Sequence, residues 1–293
     1  MLTIAGSSFE LIPESPDCPF TLAAAYQPFC SDAYPVEFTA AGRYQIITPD
    51  LPRLPALTTP AFWANEIWRM GETPEGIGIE IYDVIRDRWV PVAQLSADFS
   101  SGIIQPFYGR RAAPAPHALN YPYDQAILIN RLLYQNVVVI HGAGIVINGN
   151  GYVFFGPSGI GKTTISRLWV KRGAQLLNDD RVALYRSRDG WRIAGTPWHG
   201  EEPVVSPLNA PLAGIVRLRQ SKEIVVTELS PVVALSELLA CALIPFFSRS
   251  GIEQSIQILE QLPDSVPMVE FALRPEDSAL SYFLDTMALI NQA

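Results

Sequence analysis

The residues 156–163 read Gly156-Pro157-Ser158-Gly159-Ile160-Gly161-Lys162-Thr163, the spacing G-x-x-x-x-G-K-[ST] of a phosphate-binding loop. Glycines at these positions let backbone N–H groups wrap a phosphate chain, and the helix that must follow adds N–H donors and a positive dipole end. In that frame Lys162 reaches the β and γ phosphates, Thr163 offers its hydroxyl to Mg²⁺, and Thr164 continues the first helical turn. A glycine-rich turn with a chance lysine would give the four fixed positions in about 1% of chains of this length. With only three lysines in the chain, a generic basic face does not explain the match.

A second cluster follows at Leu176-Leu177-Asn178-Asp179-Asp180, an apolar run that delivers two carboxylates at the end where α/β sheets bind ligands. One can hold Mg²⁺, directly or through water, while the other accepts a proton from an attacking hydroxyl. Asn-Lys-x-Asp and Leu-Ser-Gly-Gly-Gln are both absent, which argues against a guanine-reading GTPase and a transporter ATPase. The residue after Asp179 is another Asp, where many motor-type ATPases place a water-activating Glu, so transfer to a bound hydroxyl outranks hydrolysis.

Taken together, His141-Gly142, the loop 156–163 and Lys171-Arg-Gly-Ala-Gln-Leu-Leu-Asn-Asp179-Asp180-Arg-Val resemble the catalytic core of the HPr serine kinase/phosphorylase family. The resemblance implies the fold shared with ATP-dependent phosphoenolpyruvate carboxykinase, with ATP and Mg²⁺ as cofactors. It makes Lys162 and Thr163 phosphate and Mg²⁺ ligands, Asp179 the general base, Asp180 a metal-linked carboxylate, and His141 a neighbour that influences the base. The family's Gly-x-Asn-Pro-Val segment is absent, so ATP-driven transfer without efficient phosphorolysis is the expected direction. The family is hexameric, and an oligomer is the expectation this carries. Glu201 and Glu202, in the run Gly195-Thr-Pro-Trp-His199-Gly-Glu201-Glu202, are candidates to touch the acceptor or the metal, with Glu201 the named metal candidate.

These groups need elements to place them. An apolar strand, Tyr152-Val-Phe-Phe, precedes the loop, and a helix from Lys162 to about Arg172 follows, stopped by Gly173. Upstream, the pattern predicts a helix over 123–134, a buried strand at 137–140, and a hairpin turn at Asn148-Gly149. Downstream it predicts strands at 213–218, 224–229 and 268–273, and helices at 231–243, 251–262 and 275–290. Residues 1–111 show short alternating runs between proline-rich turns, apart from one short helix expected at 60–70. The run Ala112-Ala-Pro-Ala-Pro-His117 reads as a linker with a solvated His117. The expected organisation is therefore α/β, with a β-rich N-terminal module over 1–115 and an HPr-kinase-like P-loop core over 116–293.

With 48% hydrophobic and 17% charged residues, the 293-residue chain can bury a core and is not disordered. A net charge of −8 repels nucleic acid and anionic lipid. Three dispersed cysteines suggest neither a disulfide framework nor a Cys-type zinc site, and fit a reducing cytoplasm. The start lacks the basic and apolar stretches of a secretory signal, and the longest apolar run, 238–247, is too short to span a bilayer and is broken by Pro245. The leading expectation is an ATP-dependent kinase for a hydroxyl on a peptide, protein or small molecule. The alternative is a nucleotide-binding regulatory module without transfer; a phosphoenolpyruvate carboxykinase is a weaker third.

Overall fold

Period-two alternation in the first third of the chain and continuous apolar runs in the rest give two sheets of different character. The computed structural model describes residues 1–17, 19–31, 39–47, 54–58, 61–107, 117–274 and 276–291. They fall into two compact units, Met1–Gln135 and Asn136–Ala293.

The first unit holds β1 (Leu2–Ile4), β2 (Ser7–Pro13), β3 (Gly42–Ile46), β4 (Trp63–Ala64), β5 (Trp68–Thr73), β6 (Gly76–Asp83), β7 (Arg88–Leu95), β8 (Ser101–Ile104) and helix α1 (Tyr123–Tyr134). The strands form one sheet in the order β1-β2-β3-β8-β7-β6-β5-β4, parallel at β2/β3 and β3/β8 and antiparallel elsewhere. One face carries the alternating core residues Phe9, Tyr44, Ile46, Ile79, Ile81 and Ile104.

Two expectations change here. The described part of the run expected to be a helix over 60–70, residues 61–70, is not one: the Asn65 side-chain oxygen accepts from the Ile67 and Trp68 amides at 2.8 and 2.9 Å, and this turn splits the run into β4 and β5. The unit boundary lies at 135/136 rather than 115/116. Helix α1 belongs with the first unit because Tyr26 Oη donates to Asp124 at 2.5 Å and Arg131 reaches the Ala41 and Asp98 carbonyls. Most of the expected linker lies outside the described residues; His117 is exposed, and its Nδ1 sits 2.9 Å from Thr21 Oγ1.

The second unit holds β9 (Val137–His141), β10 (Ala143–Ile147), β11 (Asn150–Phe155), α2 (Lys162–Lys171), β12 (Gln175–Asn178), β13 (Arg181–Ser187), β14 (Gly190–Gly195), β15 (Asn209–Gln220), β16 (Val225–Glu228), α3 (Pro231–Cys241), α4 (Arg249–Leu259), β17 (Met268–Leu273) and α5 (Asp277–Ile290). The helices and strands expected here are present, within a few residues at their ends. Strand order is β12-β10-β11-β15-β14-β13-β9, with β17 parallel to β15 and β16 antiparallel to β17. Because β10 is antiparallel to both β11 and β12, those two strands run the same way and end on the same edge.

Helices α2 and α5 cover one face: Ile165, Trp169, Leu280, Phe283 and Met287 pack with Phe154, Val216 and Phe271. The Phe154, Trp169 and Phe283 rings lie within 5.8–6.2 Å of one another. The mixed α/β class and the β-rich first unit agree with expectation. Among the described residues no helix is long and apolar enough to cross a membrane.

Candidate active site

The β11–α2 connection is the loop 156–161, and its glycines are used for their backbone. Gly156, Gly159 and Gly161 have φ of 147°, 78° and 111°, a region that side-chain-bearing residues rarely enter. A Cβ placed on Gly159 or Gly161 would meet no atom within 4 Å, so the space beside these residues is open. Gly161 caps α2, its carbonyl accepting from the Ile165 amide at 2.9 Å, and α2 therefore starts at Lys162. The Lys162 ammonium donates to the Gly156 carbonyl at 3.1 Å, which folds it back along its own loop. Thr163 and Thr164 sit in the first turn of α2, Thr163 partly buried and Thr164 exposed.

The end of β12 lies on the same edge. Asn178 is fully buried and makes the turn: its side-chain oxygen accepts from the Asp180 and Arg181 amides at 2.8 and 2.9 Å, and its Nδ2 donates to the Thr196 carbonyl at 3.0 Å. This aims the two aspartates apart. Asp179 is only 4% exposed, and its two oxygens accept from the Gly200 amide at 2.8 Å and the Glu202 amide at 2.9 Å. Asp180 instead turns one oxygen to His141 Nε2, 3.3 Å away, and the other to the Arg181 guanidinium. His141 thus stands beside Asp180, not beside Asp179, because β9 pairs with β13 at His141↔Arg181 and Gly142 N donates to the Asp180 carbonyl at 2.9 Å.

Partial burial pulls the His141 pKa below the ordinary histidine value; Asp180 pushes it back up, and the charges of Lys162 and Arg181 draw it down again. The ring is mainly neutral near pH 7 and can accept a proton. The Lys162 charge felt at His141 also ties the phosphate loop to the aspartate cluster.

The run 195–202 is a loop, as expected. Glu202 pairs with Arg167 on α2, whereas Glu201 is exposed and its carboxylate has no partner among the described residues. No three His, Cys, Asp or Glu side chains gather into a metal-holding cluster among the described residues. What the site has instead is one mostly shielded carboxylate, Asp180, and a Thr163 hydroxyl that has no partner among the described residues, next to the open glycine loop. That donor set fits Mg²⁺, which binds through one or two protein oxygens plus substrate phosphates.

Sequence reasoning missed three participants. Asn178 was legible as an Asn one residue before the aspartates, the signal of an Asx turn. Gly200 was not: a Cβ there would lie 2.9 Å from the Asp180 Cβ, a close approach visible only in the fold. Cys241, at the end of α3, has its thiol pushed up by burial while a backbone hydrogen bond from Gly156 and the Lys162 charge act in the opposite sense, which sets it against the phosphate loop.

No family model matches the chain. The HPr kinase/phosphorylase of Lactobacillus johnsonii is 40% identical over 58 residues, 20% of this chain and 18% of that protein. The enzyme of the same name from Lactococcus lactis (strain IL1403) is 41% identical over 58 residues, with the same shares. The chain thus spans about a fifth of the length of the curated relatives it matches. The solved structure of the Hpr(Ser) kinase/phosphatase from Coxiella burnetii aligns with 53% of this chain and 95% of its own, at 13% identity and a TM-score of 0.30. Over that one fifth of its length the chain is HPr-kinase-like, a divergent relative of the HPr kinase/phosphorylases.

Proposed function

We propose that the second unit is an ATP-dependent kinase that transfers the γ-phosphoryl group to a serine-type hydroxyl of a peptide, protein or small molecule in the cytoplasm. One observation carries this reading: the phosphate loop, His141 and the paired aspartates meet at one strand-end edge. A protein that only binds nucleotide has no need of a histidine and two carboxylates there. The relatives named HPr kinase/phosphorylase favour a protein hydroxyl as acceptor.

Loop amides of Ser158, Gly159 and Gly161 and the α2 N-terminus hold the triphosphate, and Lys162 swings from the Gly156 carbonyl to the terminal phosphates. Thr163 and Asp180 would hold Mg²⁺, which when bound neutralises charge on the phosphates. In this reading the neutral His141 imidazole, paired with Asp180 at 3.3 Å, takes up the hydroxyl proton as the oxygen attacks phosphorus. The hydroxyl loses its proton to this pair, the oxygen–phosphorus bond forms, and the bond to the leaving diphosphate breaks.

The test is incubation with γ-labelled ATP and a cell lysate, followed by location of the label. Label in an acid-stable phosphohydroxyl adduct is the expected result. Tight ATP binding with label only in ATP and free phosphate, in any lysate, would favour the regulatory module and end the kinase reading.

A further inference from the structure

We infer that Asp179 is a positioning residue: it pins the 195–202 loop to the strand-end edge, and that loop forms the acceptor-side wall of the site. The inference deepens the kinase reading and rests on it.

Each oxygen of Asp179 is occupied by a different loop amide, Gly200 at 2.8 Å and Glu202 at 2.9 Å, and the side chain is 4% exposed. Both lone-pair directions that face the loop are therefore spent on it, in charge-assisted bonds that are roughly twice as strong as neutral ones. The carboxylate is withdrawn from solvent and from His141, whose partner is Asp180. A group held in this way is poorly placed to take a proton from an incoming hydroxyl.

The loop is stitched down on both sides of this anchor. Thr196 gives its carbonyl to Asn178 Nδ2 and its hydroxyl to the Arg181 carbonyl at 2.7 Å, and Trp198 is buried. Glu202 is tied to Arg167 on α2, one turn and a half beyond Lys162. Gly200 lies so near the aspartates that a Cβ would sit 2.9 Å from Asp180 Cβ and 3.1 Å from Asp179 Oδ2.

The topology says which wall this is. Across the order β12-β10-β11, the phosphate loop leaves the end of β11 and the 195–202 loop rests on the end of β12. With the triphosphate held on the β11 side, the aspartates at the end of β12 mark the side from which a hydroxyl would approach. Between its two anchored neighbours, Glu201 is exposed, its carboxylate without a partner among the described residues, so Asp179 fixes where that carboxylate is presented.

The experiment uses the full chain, with MgATP as donor and water as the acceptor, and follows amide hydrogen exchange by NMR alongside turnover. Asp179→Asn places an NH₂ against one of the two amides, so the Glu202 or Gly200 amide should exchange roughly ten- to a hundredfold faster, the factor a charged hydrogen bond is worth. Turnover should also fall, but by less than about tenfold, well short of the loss of a general base. Asp180→Asn should do the reverse, leaving both amides protected while turnover drops by ~10²–10⁴, because it removes the partner of His141 and a Mg²⁺ ligand together. Asp179→Asn that costs 10²–10⁴ in turnover with both amides still protected would overturn the inference.

Arg167→Gln and Gly200→Ala loosen or displace the loop with Asp179 intact, and decide the matter if Asp179→Asn does not fold or loses both properties together. Loss of turnover in parallel with faster exchange supports positioning; faster exchange with no change in turnover overturns it. A wild-type chain that binds no MgATP breaks the kinase reading itself, while the two protected amides would still report the anchor.

Discussion

Asn178, at the end of β12, and Gln94, within β7, are both buried carboxamides of a sheet strand, and the two units treat them differently. In the second unit Asn178 uses its oxygen twice and its NH₂ once, and these bonds set the directions of Asp179, Asp180 and Arg181. In the first unit Gln94 is 5% exposed, yet neither its oxygen nor its nitrogen has a partner among the described residues. It faces Gly78 on β6 and Ile103 on β8, with the Thr73 hydroxyl, also unpartnered among the described residues, on the same face. Leu57 lies over Gly78, where a Cβ would be 2.8 Å from its Cδ2. Burying an unpaired amide costs about 1–3 kcal/mol. The second unit spends buried polarity on aiming side chains; in the first unit, at this position, the same polarity does nothing for the fold.

The largest effect expected from that contrast is in the apolar layer that carries the site. Trp169 is fully buried against Phe154 and Phe283, so Trp169→Ala should destabilise the second unit by roughly 3–5 kcal/mol. Its indole N–H has no partner among the described residues, so the loss is one of packing. Because α2 would then tilt on the sheet, ATP affinity should fall with stability; urea unfolding and calorimetric titration on the same variant check both. A variant as stable as the wild type would remove Trp169 from the support of the loop.

Lys162→Ala should separate site from core. The lysine is at the N-terminus of α2 with its head on the Gly156 carbonyl, not in the apolar layer, so stability should stay within about 0.5 kcal/mol, as for substitutions outside the core. ATP affinity should drop by at least about tenfold, the scale of one charge-assisted phosphate contact. Equal affinity in a folded variant would sink the assignment of the loop.

How much of this could be read beforehand follows the same division. The phosphate loop was legible because its glycines are required by backbone φ and its lysine by a fixed reach, both local properties. Helix α1 and strand β11 were legible from periodicity. The 60–70 run misled because Phe62, Ile67 and Trp68 mimic helical spacing, and only the Asn65 turn, which exposes 53% of Ile67, reveals the break. The β13–β14 hairpin went unread although Asp189-Gly190, with Gly190 at φ 112°, is a strong turn signal between alternating runs. In the site, the identities of the two aspartates were plain, but not which one meets His141. That depends on the pairing of β9 with β13, a long-range register that no local pattern encodes.

Gln94→Met sharpens the comparison from the other side. The two side chains are nearly the same size, and the replacement removes two unpartnered polar atoms from an enclosed position. Stability of the first unit should rise by about 1 kcal/mol. The corresponding Asn178→Leu removes three made bonds and should cost more than 2 kcal/mol with loss of ATP turnover. Urea midpoints give both numbers, and a destabilised Gln94→Met would mean that the amide serves the first unit after all.

The smallest effect concerns acid. In the second unit Glu270 on β17 meets Arg217 and Arg219 on β15, each at 2.6 Å. Burial acts to raise its carboxyl, but the hydrogen bonds from Arg219 and Arg217 outweigh it and hold the group below the ordinary value. In the first unit Asp98 is also opposed by burial and held low, by Ser100, Ser96 and Arg131. A carboxyl lowered on folding stabilises above its unfolded value and loses that contribution as pH falls through its folded value. Unfolded Glu titrates near 4.3 and unfolded Asp near 3.9, so as a solution is acidified the Glu270 contribution starts to fade first. Each pair is worth about 0.2–1 kcal/mol, so the comparison needs variants. The stability gap between wild type and Glu270→Gln should be constant from pH 7 to 5 and narrow below about 4.3, while the gap for Asp98→Asn should hold to a lower pH. A Glu270→Gln gap that widens on acidification would reverse the sign and remove the two arginines as the cause.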